Sequence, residues 1–489
     1  MEKKEYNIVK NLFFSSISTL TTFFLFILLS FLGKLLGSEE YGIFTTALSI
    51  ATIFEMFTDF GLRDISIRNV SQNKDQTEKY IGNLLVWKVL VCVIIYTFML
   101  IIVNMLGYEP KIKTIIYILT VSAFLKNMKY TFRIFFQAHD KFGWDTLLVL
   151  VERTSLLGFG LAALFRWDAL LPFTICFVSV RAIDLLLTMV VLRWKVARIK
   201  FSFSFNFMKK LQIEALPLGL FFVILTVFSY IDTVMLSLMR TYSEVGIYNA
   251  AFKIYEGITI VPTIFWLVFL PRLSELYSID KGHHRRLAIR SVKYMFLTGL
   301  PTLTYGILFS SFMINFFFKE EFSGAIFTLQ ILFFGLAFQY PNWMLNATLI
   351  SMKRQRVMMA LGGIGLGFKI ILNLILIPLY GYNGSAFATV LSEFVIFLGA
   401  AIYLYRYHIQ LPIFQVAIKP ILASILVYVV YVYLSGILSM IPLVIVTVII
   451  YLTAIFLLKA FDQDEIDTFL DNLKKMFTMP KSAKQVVES

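Results

Sequence analysis

The chain has 489 residues, of which 59% are hydrophobic and only 15% charged, with a formal net charge of +14 and a mean hydropathy of +0.80. A soluble domain carries about 25% charged residues, so most of this chain has no water to face and an ordinary soluble fold is excluded. The positive balance is distributed along the chain in a way that reports topology, which argues against a nucleic-acid-binding role.

Fourteen apolar runs of about 20 residues, the length that crosses ~30 Å of hydrocarbon as a helix, are predicted in chain order. They fall at 11–33, 42–62, 82–106, 112–138, 146–165, 169–193, 212–238, 245–270, 291–317, 324–350, 357–378, 383–405, 413–435 and 438–459. Isolated spans must satisfy their own backbone hydrogen bonds, so they are helices. The first follows a charged start and is too long for the apolar region of a cleaved signal, so it reads as a retained helix. Cys92 and Cys176 fall inside spans and read as packing residues. The last four spans are the hardest to separate, divided by links as short as Tyr380–Tyr382.

Loops on the side of the termini carry thirty of the forty-four Lys/Arg residues; the opposite loops carry six. That asymmetry predicts cytoplasmic termini in a multi-pass protein of the plasma or inner membrane. Glu40-Tyr41-Gly42-Ile43-Phe44 nearly repeats at Glu244-Val245-Gly246-Ile247-Tyr248, and the likeness continues at Ala47/Ala251 and Ile50/Ile254. Six spans separate the copies, an even number, so the halves run parallel about an axis along the membrane normal, and transporter substrate sites lie between such halves. The expected organisation is an amino-terminal lobe at 1–198 (spans 1–6), an interfacial linker at 199–211, a second lobe at 212–410 (spans 7–12), spans 13–14 at 411–460 and a cytoplasmic amphipathic tail at 461–489. Alternating Phe201, Phe203, Phe205 and Phe207 between basic ends suit a linker at the headgroup boundary, or a plain tether. In the tail, Ile466, Phe469, Leu470, Leu473 and Phe477 share one helical face.

No catalytic constellation is visible. His139, His283, His284 and His408 lie in loops or at a helix end, and no Gly-rich phosphate loop is present. No enzyme activity, cofactor or metal is expected. The spans do hold buried charge, which is expensive in lipid and usually faces an aqueous cavity or a partner. Lys126, Lys129 and Arg133 recur at three- and four-residue steps on the fourth span, and Lys88, Arg153 and Arg181 add charge from neighbouring spans. Set against Glu55, Asp59, Glu152 and Asp184, they leave a positive excess that calls for an anion such as diphosphate. The alternative is interfacial snorkelling of Lys88, Lys129 and Arg133. Arg181/Asp184 and Lys253/Glu256 are spaced to neutralise one another on a helix face. In the second lobe Asp232, Lys369 and Glu393 suit either a static ion pair or a coupling site for H+ or Na+. Pro217, Pro262, Pro301 and Pro341, with Gly362, Gly363, Gly365 and Gly367, suit a lobe that changes shape.

Several motifs, weak singly, are specific in their order. They are Gly42-Ile43-Phe44, Asp59-Phe60-Gly61-Leu62 with Ile67-Arg68, Phe132-Arg133 before Phe136-Gln137-Ala138-His139-Asp140-Lys141-Phe142, and Ser243 to Tyr248. The late segment Leu372-Asn373-Leu374, Ile377-Pro378, Gly381-Tyr382-Asn383-Gly384-Ser385-Ala386 and Ala388-Thr389 completes them. With these the chain resembles polysaccharide-type flippases of the multidrug/oligosaccharidyl-lipid/polysaccharide exporter superfamily. The resemblance implies a V-shaped pair of six-helix bundles that flips a polyprenyl-diphosphate-linked oligosaccharide by alternating access as a monomer, with membrane lipids around it and a groove for the lipid tail on the two extra helices. Lipid II flippases of the superfamily carry arginines in the first span; 11–33 has none here, which moves the anion-binding role to Lys126, Lys129 and Arg133 or to Lys88, Arg153 and Arg181. Some relatives hold sodium between the seventh, eleventh and twelfth spans. Asp232, Asn373 and Thr389 fall on those spans here, and Lys369, one turn from Asn373, could replace that ion with its own ammonium. A drug/cation antiporter of the same fold would need an acid-rich, aromatic cavity, and a membrane-embedded glycan ligase or polymerase would need a sizeable outer loop; neither feature is present.

Overall fold

The computed structural model describes residues 21–461, except 199, 408, 410 and 411, together with Glu465. His408, the linker's Ile199 and the predicted tail helix lie outside the described residues. The described residues are helix and short connection, and nine of their helices are long and apolar enough to cross a membrane. The chain is an all-α multi-pass membrane protein.

The first two spans form one helix, α1 (Thr22–Asp59), broken at Gly37, whose φ of 83° and ψ of 179° are non-helical. Only glycine takes such an angle without strain. The second span ends in a left-handed Phe60-Gly61 turn, and α2 (Leu62–Gln72) follows. Four helices complete the first lobe: α3 (Thr77–Met105), α4 (Pro110–Ala138), α5 (Phe142–Trp167) and α6 (Leu170–Lys195). The linker is shorter than the expected 199–211, because α7 (Phe205–Met239) begins inside that range, with the Ser204 hydroxyl accepting from the Phe207 amide. Residues 200–204 are pinned to the start of α3: Lys200 pairs with Glu78 at 2.5 Å, and the Ser204 amide donates to Asn83 Oδ1 at 2.6 Å. A Cβ on Gly82 would sit 2.2 Å from the Lys200 carbonyl oxygen, so the strap needs glycine there.

The second lobe runs through α8 (Tyr242–Ile258), α9 (Ile260–Ile279), α10 (Lys281–Phe317), α11 (Ala325–Ser351) and α12 (Gln355–Arg406), and α13 (Ile413–Leu434) and α14 (Met440–Leu457) follow. The predicted eighth span at 245–270 is thus α8 plus α9, divided at Thr259. Spans eleven and twelve are one helix broken at the single residue Gly381 (φ 57°). Two of the expected prolines have identifiable partners. Proline removes the donor to the carbonyl four residues back, and in a bilayer that carbonyl must find another. Pro262 orphans Ile258 O, which the Tyr340 hydroxyl of α11 takes at 3.0 Å. Pro301 orphans Leu297 O, which the Tyr451 hydroxyl of α14 takes at 2.8 Å. The second bond, with Leu297, Ala423, Val427 and Ile455 packed around it, docks α13 and α14 on α10.

The lobes meet where the sequence repeats. A Cβ on Gly42 would lie 1.8 Å from Tyr242 O and 2.9 Å from Gly246 N, and one on Gly246 would lie 2.0 Å from Ser38 O and 3.2 Å from Gly42 N. Adding 204 to one set of numbers gives the other, as an isologous contact about a two-fold axis requires. Ser38 Oγ and Ser243 Oγ share a 2.6 Å bond across this crossing, and the Ser38 amide donates to Glu321 at 2.9 Å. At the opposite end of α1, Phe60 and Gly61 pack against Ala215 and Gly219 of α7, so α7 runs antiparallel beside the second half of α1.

Candidate functional site

The buried cations of the first lobe are brought together, but most are neutralised in place. Lys88, 1% exposed, pairs with Asp59 at 2.6 Å and donates to Asn127. Lys126 pairs with Glu55 at 2.6 Å and keeps part of its surface open. Lys129 is shared by Glu152 and, at 2.8 Å, Asp184. Arg133 pairs with Asp145, which Gln137 also contacts at 2.8 Å. Asp184 therefore serves Lys129 and not the Arg181 one turn before it, unlike the expected i,i+3 pair, whereas Lys253 and Glu256 do pair, at 2.6 Å. Asp145 and Asn127 were not singled out from the sequence. Asp145 sits near a predicted span boundary and reads as a loop acid; only the α4–α5 packing shows its partner.

Arg153 and Arg181 differ from the rest. Among the described residues neither has a carboxylate within ion-pair distance, and the Nε of each is buried without a hydrogen-bond partner. Arg181 bonds by one terminal nitrogen to Ser122 Oγ at 3.1 Å and lies 4.4 Å over the Phe177 ring. Glu152 and Glu55 lie within electrostatic reach of it, as does Arg153. Of six candidate anion ligands, these two adjacent-helix guanidiniums are the ones without a carboxylate partner among the described residues.

In the second lobe the sequence-selected residues form one cluster with an outlier. Asp232, fully buried, receives Lys369 Nζ at 2.6 Å, the Thr389 and Tyr248 hydroxyls each at 2.8 Å on the same oxygen, and Asn373 Nδ2 at 2.7 Å on the other. Ser385 holds Asn373 by its Oδ1 at 2.9 Å. Tyr248 and Ser385 were not picked out as site residues from the sequence: neither carries a charge at neutral pH that lipid would make conspicuous, although Tyr248 ends the second repeat copy. Glu393 stands apart, accepting from Asn342 Nδ2 at 2.9 Å.

The histidines lie elsewhere. His139 bonds Thr77 at 2.8 Å, and burial, with Lys74 and Lys141 beside it, lowers its pKa. His283 pairs with Asp280 at 2.6 Å. That bond and the amides of Gly282 and His283 hold the Asp280 carboxyl at about 2. His284 bonds Ser351 at 2.8 Å.

Residues 8–277 match the family described as polysaccharide biosynthesis protein. The chain is 24% identical over 322 residues to a Shigella flexneri protein named as an O-antigen transporter, a match covering 63% of this chain and 76% of that protein. It is 22% identical over 385 residues to the low-salt glycan biosynthesis flippase Agl15 of Haloferax volcanii, covering 75% and 77%. The fold is similar to that of the lipid II flippase MurJ in its inward closed conformation, with a TM-score of 0.74 at 16% identity over 90% of this chain and 98% of that one.

Proposed function

The chain belongs to the polysaccharide biosynthesis protein family, and from that premise we propose that it flips a polyprenyl-diphosphate-linked oligosaccharide across the cytoplasmic membrane by alternating access. The termini are cytoplasmic in this reading, the protein acts as a monomer, and the two lobes part and rejoin at the Gly42–Gly246 crossing as they rock. The names of the O-antigen transporter and Agl15 support the cargo class.

The observation that carries the reading is the pair Arg153 and Arg181, left without carboxylates where Lys88, Lys126, Lys129 and Arg133 all have them. A guanidinium offers a rigid fork of donors that matches phosphate oxygens two at a time. The diphosphate is received between α5 and α6 by these two arginines, with Lys126 at the rim able to exchange Glu55 for a phosphate oxygen. The paired Lys88, Lys129 and Arg133 position the helices. The saccharide occupies the space between the lobes.

The test is Arg153→Gln and Arg181→Gln in proteoliposomes carrying a lipid-linked oligosaccharide. A charged hydrogen bond contributes about 1.5–3 kcal/mol, so each variant is expected to flip roughly 10- to 150-fold more slowly while folding normally. Unchanged flipping by both variants would remove the arginines from substrate binding. Lys126→Ala lowers activity less, because Glu55 already shares its charge.

A further inference from the structure

The Asp232 cluster has the composition of a monovalent-cation site with the cation already present. Four elements converge on it: α7 supplies Asp232 and the Phe228 carbonyl, α8 Tyr248, and the two halves of α12 supply Lys369 with Asn373, and Thr389. The Lys369 ammonium donates to Asp232 at 2.6 Å and to Phe228 O at 2.8 Å, and sits 4.3 Å over the Phe228 ring. It is 1% exposed and Asp232 0%. No polar atom of Asp232, Lys369, Asn373 or Thr389 is left without a partner. The saturation contrasts with the Lys129 cluster, where two carboxylates share one ammonium and the Glu152 Oε1 and Asp184 Oδ1 oxygens have no hydrogen-bond partner among the described residues.

Without the ammonium, what remains is a carboxylate, a backbone carbonyl and two hydroxyl oxygens around a space vacated by a lysine side chain. That is an oxygen set of the kind hard cations take. A second cation beside Lys369 would meet a like charge within a few ångströms in a dry site, a repulsion that low dielectric magnifies. We propose that Lys369 is the resident cation of this lobe: its ammonium holds α7, α8 and both halves of α12 together, and the protein binds no sodium at Asp232 through its working cycle.

The test reads cation binding by the full-length protein in detergent and needs no glycan, so its failure is separate from failure of the flippase reading. Thermal unfolding and 22Na+ equilibrium binding are measured in sodium chloride and in choline chloride. Wild type is expected to show neither sodium-specific stabilisation nor 22Na+ retention. Lys369→Ala is expected to lose stability in choline, regain much of it in sodium and retain about one 22Na+, and Asp232→Asn added to it should abolish the sodium response. Sodium retained by wild type and lost in Asp232→Asn would overturn the proposal. A well-folded Lys369→Ala that is blind to sodium, lithium and potassium would overturn it too. If Lys369→Ala does not fold, Lys369→Met, which keeps the stem and fills the space, is expected to fold without any sodium response, and the wild-type measurement alone decides.

Discussion

Gly42→Ala tests whether the repeat crossing is a closed contact that transport must open. The added Cβ would stand 1.8 Å from Tyr242 O, and since carbon–oxygen contacts below about 3.0 Å do not occur between packed groups, the helices must part by about 1.2 Å. The obstruction is backbone on both sides, so no side-chain rotation relieves it. Overpacking of this kind costs about 1–3 kcal/mol, which biases the equilibrium roughly 5- to 150-fold toward the state in which these ends are apart. The assay is oxidative cross-linking of Ser38→Cys with Ser243→Cys, whose hydroxyls are 2.6 Å apart, in a background with Cys92 and Cys176 replaced by alanine. Gly42→Ala should lower the cross-linking yield and slow flipping together. Gly246→Ala, whose Cβ would meet Ser38 O at 2.0 Å, should do the same, as the two-fold contact demands. Wild-type cross-linking and flipping in both variants would refute the tight crossing.

Three further outcomes are expected. Tyr451→Phe leaves the Leu297 carbonyl unpaired and should lower stability by about 1 kcal/mol, between the ~0.6 kcal/mol average for membrane hydrogen bonds and the ~1–3 kcal/mol of an orphaned buried group. Adding Pro301→Ala restores the helix's own donor and should recover the melting temperature; no recovery would mean that Tyr451 acts only through packing. Lys129→Met strands two buried carboxylates and should cost about 3–5 kcal/mol, most of it regained in the Lys129→Met/Glu152→Gln/Asp184→Asn triple variant, as read by folded yield and thermal melts. The Asp280 carboxyl is held at about 2 against an ordinary 3.8. A depressed acid stabilises the fold above its unfolded pKa and loses that contribution as pH falls through its folded one, so wild type should lose stability between about pH 4 and 2 by a component absent from Asp280→Asn.

The multi-pass all-α character, the repeat and the Asp232–Lys369 pair were legible because each has a local or compositional signal: apolar run length, a conspicuous Glu-x-Gly-Ile repeat, and charge where lipid forbids it. The breaks were legible too: Gly37 and Gly381 fall inside the predicted links 34–41 and 379–382, although the structure narrows each link to one non-helical glycine within a continuous helix. The start of α7 was missed because the alternating Phe201, Phe203, Phe205 and Phe207 reads as an interfacial linker, whereas the helix begins at Phe205.

By itself the sequence determined that the protein crosses the membrane many times and that several ionisable side chains fall within the spans, since hydropathy and charge are properties of residues; the buried Asp145 was not among those side chains. Whether a buried charge is satisfied is a property of pairs distant along the chain. Only tertiary packing brought Asp145 to Arg133, gave Glu152 and Asp184 one lysine between them, left Arg153 and Arg181 without a carboxylate partner among the described residues and seated the Lys369 ammonium on Asp232. A count of charges could report an excess; the geometry showed which two of the six cations have no carboxylate partner among the described residues.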